Sequence, residues 1–188
     1  MADLVPFNSV KVFLGLPDND AGGEVITLQM IAGLVSDRFS TYVGYQLLTH
    51  ITTEIKTPDG NDIFLNEKPI QSIMSFRFGY NYDWDSQPEV KPDEYYLDAQ
   101  NGIIFMKATP LGMYRNCVRV SYVAGYTQSN IPDSIRRAYY AQVRHEWMNK
   151  NQFGHTKITN NDGGSVDVVG FNLLPDVRYT LDQYRRLV

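Results

Sequence analysis

The chain has 188 residues, 43% apolar and 20% charged, enough for one domain with a real core or for a domain carrying an inserted module. Its net charge of −4, with no dense basic face, argues against a protein that grips nucleic acid, since that binding rests on neutralising phosphates. No run of about 18 apolar residues offers a membrane span, and MADLVPFNSV lacks the basic and apolar regions of a secretory signal. The single cysteine, Cys117, excludes an intrachain disulfide and a multi-cysteine zinc site.

The charge is uneven. Residues 1–130 carry 9 lysines and arginines against 15 acids, and residues 131–188 carry 8 against 6. The 13 tyrosines suit surfaces that must be apolar and wet at once, as interfaces are.

Taken in order, the spacing predicts a short helix over 8–14, capped by Asn8 or Ser9, with Val10, Phe13 and Leu14 as its apolar contacts. The segment PDNDAGGE reads as a loop. A long helix follows over 24–43, because Val25, Leu28, Ala32, Val35, Phe39 and Tyr42 step by three and four. Ile26, Met30, Ile31 and Leu34 widen the apolar face over the first half, so this helix is expected to be covered on more than one side, by the chain's own β module or by a neighbouring subunit. Gly44 is placed to end it in a left-handed cap.

From about residue 47 the period changes to two. Ile51, Thr53 and Ile55 alternate, TPDGND turns, and 63–65 is predicted to return as the hairpin partner. A strand over 70–78 follows, then a long aromatic and acidic loop over 79–94. Strands over 95–100 and 103–106 flank Asn101-Gly102, the strongest short hairpin signal available, and 116–123 completes about six strands.

Past Gly125 and a polar turn, Pro132 is predicted to start a helix in which Ile135, Tyr139, Val143 and Trp147 recur every fourth residue, joined by Ala138 and Met148. Arg137, Tyr140 and Arg144 lie on another stripe. The glycine- and asparagine-rich stretch 151–173 has no usable period and reads as a mobile loop. LLPDVRYTLDQYRRLV is a second proline-started helix, with Leu174, Val177, Leu181, Tyr184 and Val188 as its stripe. The expected class is α+β: a small helical bundle from 1–46 and 128–188, with an inserted antiparallel β module at 47–127.

Motifs that carry chemistry are missing. His145-Glu146 opens like HExxH, but the fifth residue is Asn149. No G-x-G-x-x-G, G-x-x-x-x-G-K-[ST] or G-x-S-x-G occurs. The aspartates at 18–20, 59–62 and 83–85 lack the spaced ligands of a calcium loop and read as solvated turns. The expectation is no enzyme, no catalytic residue, no metal and no cofactor. Arg136, Arg137, Arg144, Arg185 and Arg186 fit acids across an interface better than phosphates. An alternative is a binding module that holds a ligand or protein through Tyr80, Tyr82 and Trp84.

Five stretches together carry a family resemblance: VKVFLGLPDND before the long helix ending TYVGYQL, NEKPIQSI, EYYLDAQNGIIFM, VRVSYVAGYTQSNIPDSIRRAYYAQVRHEWMNKN and LLPDVRYTLDQYRR. Their order resembles the phage head–tail connector family, also called head-completion or neck adaptor proteins. The resemblance implies a structural virion protein, made in the bacterial cytoplasm, that forms a ring, usually twelve-fold, under the portal. Such a ring extends the DNA channel without binding DNA specifically and docks the next neck or tail protein. A head-to-tail ring needs two different complementary patches per subunit. The candidate subunit or portal interface comprises Arg136, Arg137, Tyr140, Arg144, Leu174, Val177, Leu181, Tyr184, Arg185 and Arg186, with the stretch 151–173 and the C-terminal helix as the portal-docking element.

Overall fold

A computed structural model describes residues 3–16, 23–79, 83–107, 115–152, 157–159, 165–167 and 172–185. The chain divides into two compact units, one of residues 1–44 with 128–188 and one of residues 45–127. The first is helical and the second is built from antiparallel strands, so the fold is α+β with a β module inserted in a helical unit.

In the helical unit α1 spans Phe7–Leu14, α2 Glu24–Val43, α3 Asp133–Met148 and α4 Pro175–Asp182. Helix α1 starts one residue earlier than its spacing suggests. Pro6 precedes it, Ser9 N–H donates to the Pro6 carbonyl at 2.9 Å, and neither Asn8 nor Ser9 makes a side-chain cap. Helix α2 ends as predicted, with Gly44 left-handed at φ 85°. Leu28, Ile31, Ala32, Val35, Phe39 and Val43 of α2 pack inward with Ile135, Tyr139 and Val143 of α3 and with Val177 and Leu181 of α4.

The inward face of α3 differs from its apolar spacing. Gln142 and Glu146 are fully buried, whereas Trp147 is half-buried and Met148 exposed. Burying these polar groups is possible because each has partners. Arg38 of α2 pairs with the Glu146 carboxylate, and Gln142 Nε2 donates to it at 2.9 Å. Gln142 also grips the chain entering α4: its Nε2 donates to the Asn172 carbonyl at 3.2 Å, and its Oε1 accepts from Leu174 N–H at 3.0 Å. Immediately past that grip, Pro175 takes the first position of α4, where its missing N–H costs nothing. A second network ties the N-terminal segment down. Ser36 Oγ accepts from Leu4 N–H at 3.1 Å and donates to the Ala32 carbonyl, which also accepts from the Tyr139 hydroxyl at 3.0 Å. Burial holds the Tyr139 phenol protonated, well above the usual tyrosine range. A 3-10 turn at Lys150–Gln152 leads into 151–173, expected as a loop, where β7 (Lys157–Thr159) pairs antiparallel with β8 (Ser165–Asp167). The alternation of KIT against SVD is too brief to stand out as a period of two.

The β unit holds β1 (His50–Lys56), β2 (Asp62–Phe64), β3 (Ile70–Phe78), β4 (Tyr95–Asp98), β5 (Ile103–Met106) and β6 (Val118–Ala124). They form two three-stranded antiparallel sheets, ordered β1-β6-β3 and β2-β5-β4, around one apolar core that includes Ile63, Phe76, Ile104, Val118, Val120 and Tyr122. The predicted hairpin of 51–55 with 63–65 is therefore not made: β1 pairs with β6 and β2 with β5. Strand β1 is also inverted. Ile51 and Ile55 are exposed, and its half-buried side carries Glu54 and Lys56. Glu54 accepts from the Tyr122 hydroxyl and from Asn66 N–H at 3.1 Å and pairs with Lys56 at 2.8 Å, which makes its inward turn tolerable. The Asn-Gly hairpin is formed, with Gly102 at φ 73° and its N–H bonded to the Asp98 carbonyl at 2.9 Å.

The Ala-Gly-Tyr signature has a steric cause. Ala124 is buried, and Tyr126 N–H donates to the Leu47 carbonyl at 2.7 Å. Gly125 sits between them at φ 94°, where a Cβ would lie 2.4 Å from the Leu48 carbonyl oxygen. Only glycine fits both the backbone angle and the approach.

Gly125→Ala should thus cost about 3 kcal/mol from strain and overlap together, measured by urea unfolding of the full chain. Arg38→Met leaves Glu146 buried beside no cation and should cost about 3 kcal/mol. Adding Glu146→Leu should recover most of that loss, and a double variant no better than the single would show that the charge pair is not the cause. In the β unit, hydrogen bonding to Arg119 and its charge hold Asp85 below the usual carboxylate range, and hydrogen bonding to Arg77 does the same for Glu89. Depressed folded values stabilise above the unfolded pKa values of about 4 and lose that contribution as pH falls through the folded ones. Asp85→Asn with Glu89→Gln should lower the melting temperature at pH 7, and the gap from wild type should close on acidification below about pH 4.

Candidate subunit interface

Helix α3 turns one stripe outward. Arg137 and Arg144 are exposed, and Tyr140 between them is half-buried against Phe13 of α1, the rings stacked at 4.7 Å and 21°. Phe13, expected inside, lies instead at the surface as the other half of that stack, beside the exposed Val12. Phe13, Arg137, Tyr140, Arg144 and Met148 line a hollow of about 390 Å³, and a neighbouring one of about 470 Å³ runs along Asn8, Val12 and Phe13. Neither Arg137 nor Arg144 has an ion-pair partner among the described residues. The result is an apolar floor with two cations on its rim.

The other sequence candidates fall elsewhere. Arg136 is spent on its own helix start, bonding Asp133 at 3.1 Å and the Ser129 and Ile131 carbonyls at 3.5 and 3.3 Å. Its side chain therefore stabilises the first turn of α3. Val177 and Leu181 are buried in the helical unit's own core, and Leu174 is half-buried at the Gln142 grip. Val177 and Leu181 thus hold α4 in place and are not part of an exposed stripe. Tyr184 shares a 2.7 Å hydrogen bond with Ser134. Arg185 is exposed, with its guanidinium 5.7 Å from the Tyr42 ring, while Tyr42 donates to Asp182 at 2.8 Å. Arg186 lies outside the described residues.

A further surface lies outside the candidate interface residues, on the side of α2 that Ile26, Met30 and Leu34 widen. Ile26, Met30 and Leu34 of α2 are exposed at four-residue intervals, with Asp37 and Thr41 continuing the line. The signal was present as a helix apolar nearly all round. Which flank would be left uncovered was not readable, because that depends on where α3 and α4 pack. Beside this stripe, Asp3, Ile26, Gln29, Met30 and Gly33 line a pocket of about 230 Å³, and burial pushes the Asp3 carboxyl up.

The aromatic loop of the β unit does not offer Trp84 to a ligand. Its indole is buried, donates to the Cys117 carbonyl at 3.3 Å and is covered by the Arg119 guanidinium 5.5 Å from the ring. Tyr80 and Tyr82 lie outside the described residues. Cys117 is itself buried, and burial raises its thiol. Among the described residues no three His, Cys, Asp or Glu side chains gather as metal ligands. The strongly shifted groups, Tyr122 and Tyr139, are phenols raised chiefly by burial, which makes them fixed hydrogen-bonding members of a core and poor proton carriers. Among the described residues no helix is long and apolar enough to cross a membrane.

The same fold is found in three solved assemblies. The chain is similar to a protein in the neck of an empty gene transfer agent particle computed with C6 symmetry, at 14% identity over 98% of this chain and 91% of that one, with a TM-score of 0.62. It is similar to one in the virion of a native gene transfer agent particle, at 13% identity over 98% and 91%, with a TM-score of 0.61. A third similarity is to the neck of the native particle computed with C12 symmetry, at 15% identity over 98% and 92%, with a TM-score of 0.54. No curated protein sequence matches the chain. The family described as head completion protein matches residues 3–187, which is nearly the whole sequence, and the chain therefore belongs to the head completion protein family.

Proposed function

We propose that this head completion protein is a structural, non-catalytic subunit of the virion neck. Copies stand side by side in a ring that meets the portal at one end and the next neck or tail component at the other. The observation that carries the reading is the placement of apolar side chains in the helical unit. Two separate exposed surfaces, one on α2 and one on α1 with α3, remain after the unit has buried its own core. A closed head-to-tail ring needs two unlike patches on each subunit, and a free-standing globule has no use for either. The gene transfer agent neck structures, computed with C6 and C12 symmetry, support a ring of about that order. The net charge of −4 suits a lumen through which DNA slides, since like charge prevents the phosphate contacts that would hold it. Of the sequence candidates, Arg137, Tyr140 and Arg144 belong to a subunit contact, and Arg185 remains a candidate for the portal side.

The full-length chain should form rings with a central hole, by light scattering and negative-stain imaging, either alone or when mixed with the portal protein. A chain that stays monomeric and unattached in the presence of portal would overturn the reading.

A further inference from the structure

The two exposed surfaces of the helical unit match one another, and the match identifies the occupant of each. Along α2 the outward residues are Ile26, Met30, Leu34 and Asp37, separated by four, four and three positions. Along α3 they are Met148, Arg144, Tyr140 and Arg137 when read backwards, again separated by four, four and three. Each stripe is about 16 Å long at the 1.5 Å rise of an α-helix. Laid antiparallel, they set Ile26 on Met148, Leu34 on the Phe13–Tyr140 floor beside the small Ala141, and Asp37 against Arg137. A parallel arrangement would instead put Asp37 on Met148 and Ile26 on Arg137, with no charge matched.

We infer that α2 of one copy packs antiparallel into the α1–α3 groove of the next copy, with Asp37 paired to the neighbour's Arg137 and Ile26, Met30 and Leu34 filling the groove. This inference rests on the ring reading above and assigns the surfaces that close each contact. Charge complementarity supports it. Asp37, like Arg137 and Arg144, has no ion-pair partner among the described residues, so the acid and both cations are available. The same register brings Arg144 over Met30, next to the pocket that Asp3 lines. Burial raises the Asp3 carboxyl in the lone subunit, and an arriving guanidinium would relieve that cost. The contact is head-to-tail, since it uses α2 from one side and α1 with α3 from the other, and so it repeats around a ring instead of ending at a dimer.

The test is a charge swap in the full-length chain, with ring formation on the portal measured by light scattering and imaging. Asp37→Arg alone and Arg137→Asp alone should each weaken ring formation about tenfold or more, because each sets like charges against each other in every contact. The double variant, Asp37→Arg with Arg137→Asp, should return to near wild-type assembly. All three should keep the wild-type melting temperature, since both positions are exposed. Single variants that assemble normally, or a double variant as defective as the singles, would overturn the inference while wild-type rings left the ring reading standing. Wild-type chain that forms no ring with portal would remove both. Should a charge variant misfold, Leu34→Cys with Ala141→Cys provides a second measurement. Oxidised rings should then yield a ladder of disulfide-linked multimers, and rings that yield only monomers would refute the contact.

Discussion

The helical unit depends on a carboxylate with no access to water. Glu146 lies on the inward face of α3 and would be intolerable there without the Arg38 guanidinium and the Gln142 amide. An ion pair of this kind adds little net stability, because desolvating both charges offsets most of their attraction. Its effect is on arrangement. Sliding α3 by one turn along α2 would strand the acid in hydrocarbon, so the pair fixes the register of the two helices. That register decides which side of α2 stays bare and which side chains of α3 reach the surface. One Glu146 oxygen has no hydrogen-bond partner among the described residues, so the position of the Arg38 charge carries most of the compensation.

A related device sets the β unit. Glu54 turns inward beside Tyr122, and Lys56 and Asn66 complete its bonding. The cost is that Ile51 and Ile55 face out, on the strand at one edge of the β1-β6-β3 sheet. Both units thus satisfy polar groups inside and leave apolar groups outside. A protein that ends in an assembly can tolerate this, because some of its apolar surface is covered only there.

Local signals in the sequence were enough for much of the fold. The three-and-four spacing with Gly44 behind it defined α2 to the residue, and Asn101-Gly102 marked a hairpin because a tight turn needs the backbone freedom that glycine has. What local pattern could not show was pairing at a distance. Strand β1 meets β6 some 70 residues later, and the intervening TPDGND looked like the centre of a hairpin because turn chemistry says nothing about which strand comes back. Burial of Gln142 and Glu146 was equally hidden, since polar letters on a helix read as solvent-facing until their partners are placed. For the candidate interface, spacing did put Arg137, Tyr140 and Arg144 on one stripe. It could not separate Arg136, which folds back onto Asp133, or reveal that Val177 and Leu181 are used up in the interior.

Gln142 holds the approach to α4 by its peptide groups alone, one carbonyl at Asn172 and one N–H at Leu174. A grip of that kind is blind to the identity of the residues it grips. That part of the attachment asks only that position 174 keep its N–H, whatever side chains stand at 172 and 174. The helix beyond it is still tied to the core by its own residues, Val177 and Leu181.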